Sequence, residues 1–414
     1  MSDVGFGKAI WTGAALAAVA LSLTGCAPSG PDPKPPTAAS KAPDVYTGDT
    51  LPDLALEEVP LAGDPSYAEA DRSAVHGIVA DRVLATRPGD LNVIMLDAFD
   101  ATTGEFAWDI TTAEAAQLVL DAGFGSGRLE FAVGAVQRGG YGYAAPLFSN
   151  GSATTPYRSG LVLLDASDGS VVWAADLTPH LGDDVAGISV HTDVVDATRE
   201  VVIANIEAQS AAGVPMTMGA GIDAASGEVR WVERGVVLSS IAGDVVTAVR
   251  TENSSDHEGV LVGIDAASGE QVWEAGAAGD WIGGTGTIAA AWTPEAVLFD
   301  TATGAAVDAG AILSAPVAGD EFAAWLNPDE HAVVTFAAGG ERSWPGATEV
   351  VADDVTAIDA DGYVWVASGA RVTALDRTGA ARSEQLTGAF AGAADGAVVT
   401  VEESGAVHLW HEAG

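Results

Sequence analysis

Apolar residues in this chain come in short runs rather than at helical intervals. Segments such as "AVHGIVADRVLATR", "TREVVIANIEA" and "GYVWVASGARVTALD" are β-branched stretches cut by Gly, Asp or Ser. That is the composition of strands joined by tight turns. A fixed interval runs through them: Asp100/Gly104/Trp108, Asp165/Gly169/Trp173, Asp223/Gly227/Trp231 and Asp265/Gly269/Trp273. Each copy follows an apolar stretch (Val93 to Leu96, Leu161 to Leu164, Met218 to Ile222, Leu261 to Ile264), so each reads as strand, glycine-bearing turn, and a strand carrying the Trp. Phe336/Gly340/Trp344 keeps the register without the Asp. At Asp300/Gly304 the Trp position holds Asp308, and at Asp376/Gly379 the turn is one residue shorter with no Trp after it.

The spacing of these copies predicts an all-β fold, a β-propeller of four-stranded blades. The glycines at 104, 169, 227, 269, 304, 340 and 379 are separated by 65, 58, 42, 35, 36 and 39 residues, bracketing one blade plus insertions. Eight blades are expected, at about 43 residues each, with seven as the alternative. The eighth needs a strand from between Val45 and Pro60 to join "AVVTVEESGAVHLWH" at the other end of the chain and remove an open edge. Within a copy, Asp can accept hydrogen bonds from amides ahead of it and Gly can take positive φ. Trp can bury its apolar face against the next blade while its N–H finds a backbone acceptor. The Asp, Gly and Trp sets, Gly340 and Trp344 included, are therefore expected to be structural.

"LLDASDGSVVW", "GIDAASGEVRW" and "GIDAASGEQVW" resemble the repeats of pyrroloquinoline-quinone-type (PQQ-like) β-propellers. The resemblance runs from about Ala74 to Trp410 and implies the fold. Its relatives include quinoprotein dehydrogenases and the propeller lipoprotein of the outer-membrane assembly machinery, enzymes and non-enzymes alike, so it implies no single activity.

The N-terminus carries a second signal. Lys8 precedes the apolar run Ala9 to Leu23, short for a bilayer span, which ends at Leu23-Thr24-Gly25-Cys26. This resembles a bacterial lipobox and implies a signal peptide over 1–25, a Cys26 thiol that accepts the lipid, and an extracytoplasmic protein held at the cell membrane. Cys26 is the only cysteine of 414 residues, so no intrachain disulfide competes for it. Residues 26–44 then hold six of the eighteen prolines and no large apolar run, a tether reaching about 50 Å if extended. Residues 45–414 are left for the propeller.

Charge narrows the partners. From Val45 onward there is no lysine, and fourteen arginines face fifty-five Asp and Glu, a net charge of −41. So acidic a domain repels phosphate backbones, which excludes nucleic acid as a natural partner. A quinone-dependent oxidoreductase of sugars or alcohols is the alternative activity, yet PQQ needs cationic side chains for its carboxylates and calcium on oxygen ligands. The family's dehydrogenases often add a vicinal disulfide, which a single cysteine cannot form. The seven histidines make no HExxH or close metal set; His408 and His411 are expected on opposite faces of a terminal strand. His191-Thr-Asp193 and Asp256-His257 read as loop or strand-end residues, and Gly182–Asp184, Ala352–Asp354 and Asn327–Glu330 as turns rather than calcium loops. With no nucleophile motif, cofactor or metal assigned, the expected role is non-catalytic binding of an extracytoplasmic protein or small ligand. The long early intervals direct attention to "RGGYGYAAPLFSNGSATTPYR", where Arg138, Tyr141, Tyr143, Tyr157 and Arg158 form a candidate contact loop.

Overall fold

The computed structural model describes residues 50–61, 75–79, 81–88, 94–111, 114, 117, 128–132, 143–149, 159–183, 185–210, 212–251, 259–278, 281–283, 286–292, 296–307, 316–319, 322–327, 332–337, 342–343 and 352–413, several strands by backbone alone. The lipobox, the tether, Trp344, Gly340, Arg138, Tyr141, Tyr157, Arg158, Asp256 and His257 lie outside these residues. Tyr143 opens a strand, Tyr143–Ser149, in the second sheet.

Strands dominate the described residues and fall into eight four-stranded antiparallel sheets, the blades of a β-propeller. Seven are meanders of consecutive strands. The first blade, for example, runs Val75–Val79, Arg82–Pro88, Ile94–Asp100 and Phe106–Ile110. The remaining sheet draws on both ends of the chain. Ala389–Ala394, Ala397–Val401 and Val407–Glu412 pair in order, and Leu56–Val59 takes the outer position, with Leu56 opposite Glu412 and Val59 opposite Leu409. The closing strand thus lies inside the 45–60 window. Its backbone groups satisfy what would otherwise be a free edge beside Val407–Glu412.

The core sits between blades. One apolar cluster joins Leu161, Leu163 and Leu177 of the second blade to Val202, Ile206 and Met218 of the third. Another joins Val399 and Leu409 of the last blade to Ile78, Val83 and Phe99 of the first. Alternation along each strand directs one set of side chains to one neighbour and the next set to the other. The residues between them therefore have no water-facing side in the inner strands, as the fully buried run Val201–Ala204 shows.

The third blade absorbs an insertion as strand length. Val185–Ala197 and Val201–Ser210 span 13 and 10 residues. His191-Thr-Asp193 consequently lies mid-strand, not in a loop, and Thr192 is buried. Register shifts at Ala186/Val190 and Val194/Asp196 bend the strand, and the bulge at Asp196 lets its carboxylate accept from Ile241 N–H in the next blade. Asp354 likewise opens a strand, Asp354–Ile358, while Asp353 accepts from Gly369 N–H. Residues 184 and 328–330 of the other two acidic clusters lie outside the described set.

Candidate functional site

The repeat residues account for how the blades are held. In the third blade Asp223 Oδ1 accepts from the N–H groups of Ala225 and Ser226 and from Ser226 Oγ, and Gly227 N–H donates to Asp223 O. Asp100, Asp165, Asp265 and Asp300 use the same oxygen in the same way. Gly169 repeats the turn in the second blade, with a φ of 72° and its N–H donated to Asp165 O at 2.8 Å. The next strand brings a tryptophan to the blade's outer edge. Trp108, Trp173, Trp231 and Trp273 donate from Nε1 to the carbonyls of Ala166, Ala224, Ala266 and Thr301, each one residue past the Asp position of the following copy.

Each indole also lies under the glycine of that following copy. A Cβ on Gly169 would stand 2.8 Å from the Trp108 ring, and one on Gly269 would stand 2.6 Å from the Trp231 ring. The other side of Trp231 is tighter still, since a Cβ on Gly221, its cross-strand partner, would enter the ring. These side chains are committed to packing. None of them, Gly169 and its Asp165 and Trp173 included, lines the cavity described below.

The chain's closure modifies the pattern. Gly104, in the first blade, meets no tryptophan; a Cβ there would strike the carbonyl of Pro60. The end of the N-terminal strand fills the place that tryptophan occupies in the blades that follow. Trp410, in the last blade, bonds within its own sheet to Thr400.

Residues 50–55 lead into that strand as an extended strap across the seventh and eighth blades. Leu54 N–H donates to Arg382 O, Ala413 N–H donates to Ala55 O, and Tyr363 Oη donates to Pro52 O at 3.1 Å. Asp53 pairs with Arg382 at 3.0 Å, and the same guanidinium is held through Nε and Nη2 by Asp376, whose side chain is 1% exposed. Past the strap, His408 lies between Glu58 of the N-terminal strand at 2.7 Å and Glu402 at 3.2 Å. His411 contacts only the carbonyl of Glu412 among these, so the two histidines share no partner.

Beside the strap lies a cavity of about 560 Å³. Leu51, Leu54 and Leu56 of the strap and strand form one wall; Ala393, Ala397 and Val398 of the eighth blade add to it, with buried Trp365 stacked on Phe390 at 5.1 Å. The charged lining is acidic: Asp359, Asp361, Asp395 and Glu412 line it, together with Tyr363, and among the described residues no Lys, Arg or His does. Two turns deliver these groups, apart from Glu412, which ends the strand Val407–Glu412. In one, Asp359 Oδ1 accepts from the N–H groups of Asp361 and Tyr363, while Oδ2 accepts from Trp365 Nε1 at 2.7 Å. In the other, Asp395 and Gly396 both have positive φ, the two-residue hairpin geometry that Asp-Gly favours.

Burial pushes the Asp359 carboxyl above the usual range, its three hydrogen bonds notwithstanding. Burial also raises the Tyr363 hydroxyl, and the negative charges of Asp359, Glu412 and Asp361 add to that, so it remains a neutral donor to the strap. Sequence reasoning did not find this site. Its members come from the strap, the seventh blade and the eighth, and no spacing links Pro52 to Tyr363.

Among the described residues, no hydroxyl or thiol nucleophile paired with a base lines the cavity, and no group of three or more His, Cys, Asp or Glu is disposed to hold a metal ion. Its donor set does not fit PQQ, whose carboxylates need cations. No helix among the described residues is long and apolar enough to cross a membrane.

No family model and no curated protein matches the chain. Among solved structures, BamB from Moraxella catarrhalis is similar at 14% identity, covering 87% of this chain and 99% of that one, with a TM-score of 0.48. Quinohemoprotein alcohol dehydrogenase ADHIIG from Pseudomonas putida HK5 is similar at 12% identity over 87% and 76%, with a TM-score of 0.43. The WD40 domain of SCAP from fission yeast is similar at 9% over 87% and 98%, also at 0.43. The propeller is evident in this chain's own strand pairing.

Proposed function

We propose that this protein is a lipid-anchored, extracytoplasmic propeller, a closed ring of eight blades that binds a protein or small ligand without catalysis. The observation that carries the reading is the cavity beside the strap: apolar and acidic recognition groups converge there with no reactive pair among them. Attachment fits the same region. The strap lies on the C-terminal side of the Pro-rich tether in the sequence, and its bonds to Arg382, Tyr363 and Ala413 would transmit any pull from Cys26 into the two blades that flank the cavity. A lipid tail also suits a domain whose charge repels anionic headgroups.

The test is in-cell crosslinking and mass spectrometry of what copurifies with the native chain, beside Cys26→Ala. The expected result is a membrane-associated protein with an enriched partner, and release of the Cys26→Ala chain from the membrane fraction. Dye reduction by a sugar or alcohol on adding PQQ and Ca²⁺ would overturn the non-catalytic reading. Retention of Cys26→Ala in the membrane fraction would overturn the anchor.

A further inference from the structure

We infer that the cavity beside the strap is a binding site for an organic cation, an ammonium group carried on an aliphatic stem, a proposal that rests on the binding-module reading above. The volume comes first. About 560 Å³ lies within the ordinary range for small-ligand sites, enough for a lysine-sized side chain and a portion of what bears it. The lining then sets the chemistry. Leu51, Leu54 and Leu56 supply apolar lining, while Asp361, Asp395 and Glu412, all exposed, and the less exposed Asp359 supply carboxylates. A stem can lose water against the leucines while its charged end reaches the carboxylates, as amphipathic cations do on protein surfaces.

Two further observations favour an organic cation over other occupants. Among the described residues the negative charge has no internal counter-ion: no cationic one lines the cavity, and Arg382 nearby is already shared by Asp376 and Asp53. An anion or a neutral apolar ligand would leave those carboxylates uncompensated. A metal ion would need several free oxygens converging at short range, whereas both Asp359 oxygens already accept N–H groups. An ammonium needs only the field and one or two exposed carboxylates. The net charge of −41 adds long-range steering of cations toward the domain.

The test uses the full chain and four probes: hexylammonium, hexanol, hexanoate and Ca²⁺, with binding followed by calorimetry and intrinsic fluorescence. Hexylammonium should bind at least tenfold more tightly than hexanol or hexanoate and weaken as salt is raised. Asp361→Asn with Glu412→Gln should lower its affinity at least tenfold, with unchanged circular dichroism. Should that variant unfold, the salt dependence and the probe ranking on the unaltered chain still decide. Equal binding of the three six-carbon probes, no effect of the double variant, or a larger thermal shift with Ca²⁺ would each overturn the site. The source of the cation is read by comparing hexylammonium with Nα-acetyl-lysine amide and a lysine-bearing peptide; tighter binding of the peptide assigns the group to a protein partner, and of the free amine to a small molecule. A crosslinked partner that survives Asp361→Asn/Glu412→Gln while no amine binds would sink this inference and leave the binding-module reading standing.

Discussion

A glycine in the repeat answers to two constraints at once, and a pair of substitutions separates them. Gly269 and Gly213 have nearly the same backbone, φ of 75° and 76°. A Cβ on Gly213 would meet nothing within 4 Å, whereas on Gly269 it would enter the Trp231 ring at 2.6 Å. Gly213→Ala should therefore cost only the left-handed backbone penalty, about 1–2 kcal/mol. Gly269→Ala should cost that and the displacement of a buried indole, approaching the loss from Trp231→Ala, about 3–5 kcal/mol. Chemical denaturation of the three variants checks this, and equal costs for the two glycine variants would refute it. The interval from Asp to Gly to Trp made the hairpin and the outer tryptophan readable from sequence, because each residue type has a local reason to be there. What the interval did not reveal is that Gly169 serves Trp108 of the preceding blade, not the Trp173 of its own copy. Gly221 and Gly263 gave no signal at all: a lone glycine before Ile-Asp is unremarkable until the facing indole is seen where its Cβ would be.

At the level of elements, the closing strand is legible in the sequence because a ring needs its ends joined, and Leu56–Val59 lies between Val45 and Pro60. The strap before it was not readable. Its bonds go to Tyr363, Arg382 and Ala413, more than 300 residues away, and depend on side chains whose proximity only the closed ring creates. Arg382 is the residue on which this element turns. It offsets the buried Asp376 and reaches Asp53, so its own proton is held more tightly by Asp376 first and then Asp53. Arg382→Ala leaves Asp376 with Thr378 and Ala380 as donors but without its cation. A loss of about 2 kcal/mol or more is expected. Hydrogen exchange should rise at Leu54 and Ala413 before the inner strands of the seventh and eighth blades respond. His408→Ala, which removes an exposed bridge to Glu58, should cost under about 1 kcal/mol. A reversal of that order would mean that the strap is held chiefly from the histidine side.

For the whole molecule, charge acts in two opposed directions. A net charge of −41 repels itself most in the compact state, so at neutral pH added salt should raise the melting temperature, and partial neutralisation on going from pH 8 to 5 should do the same. Asp354 and Asp359 act with this trend. Burial raises both, so their folded forms take up protons before the unfolded chain does, and the penalty they carry at neutral pH is relieved as the solution is acidified. The repeat turns oppose it. Asp223 is lowered by Arg230 and Ser226, and Asp265 by Ser268. Asp100 and Asp376, although burial pushes them up, are lowered by their threonine donors and nearby arginines. A carboxylate lowered by folding stabilises above its unfolded pKa, and that contribution is lost as pH falls through the folded value, so these four weaken the protein only below about pH 4. Stability at fixed ionic strength should thus rise from pH 8 to about 5 and then fall steeply. Asp265→Asn should flatten the acid limb while leaving the rise from pH 8 to 5 intact. A melting temperature that declines steadily from pH 8 to 5, or does not respond to salt at pH 7, would show that the acidic surface is already compensated and that self-repulsion does not set the stability of this propeller.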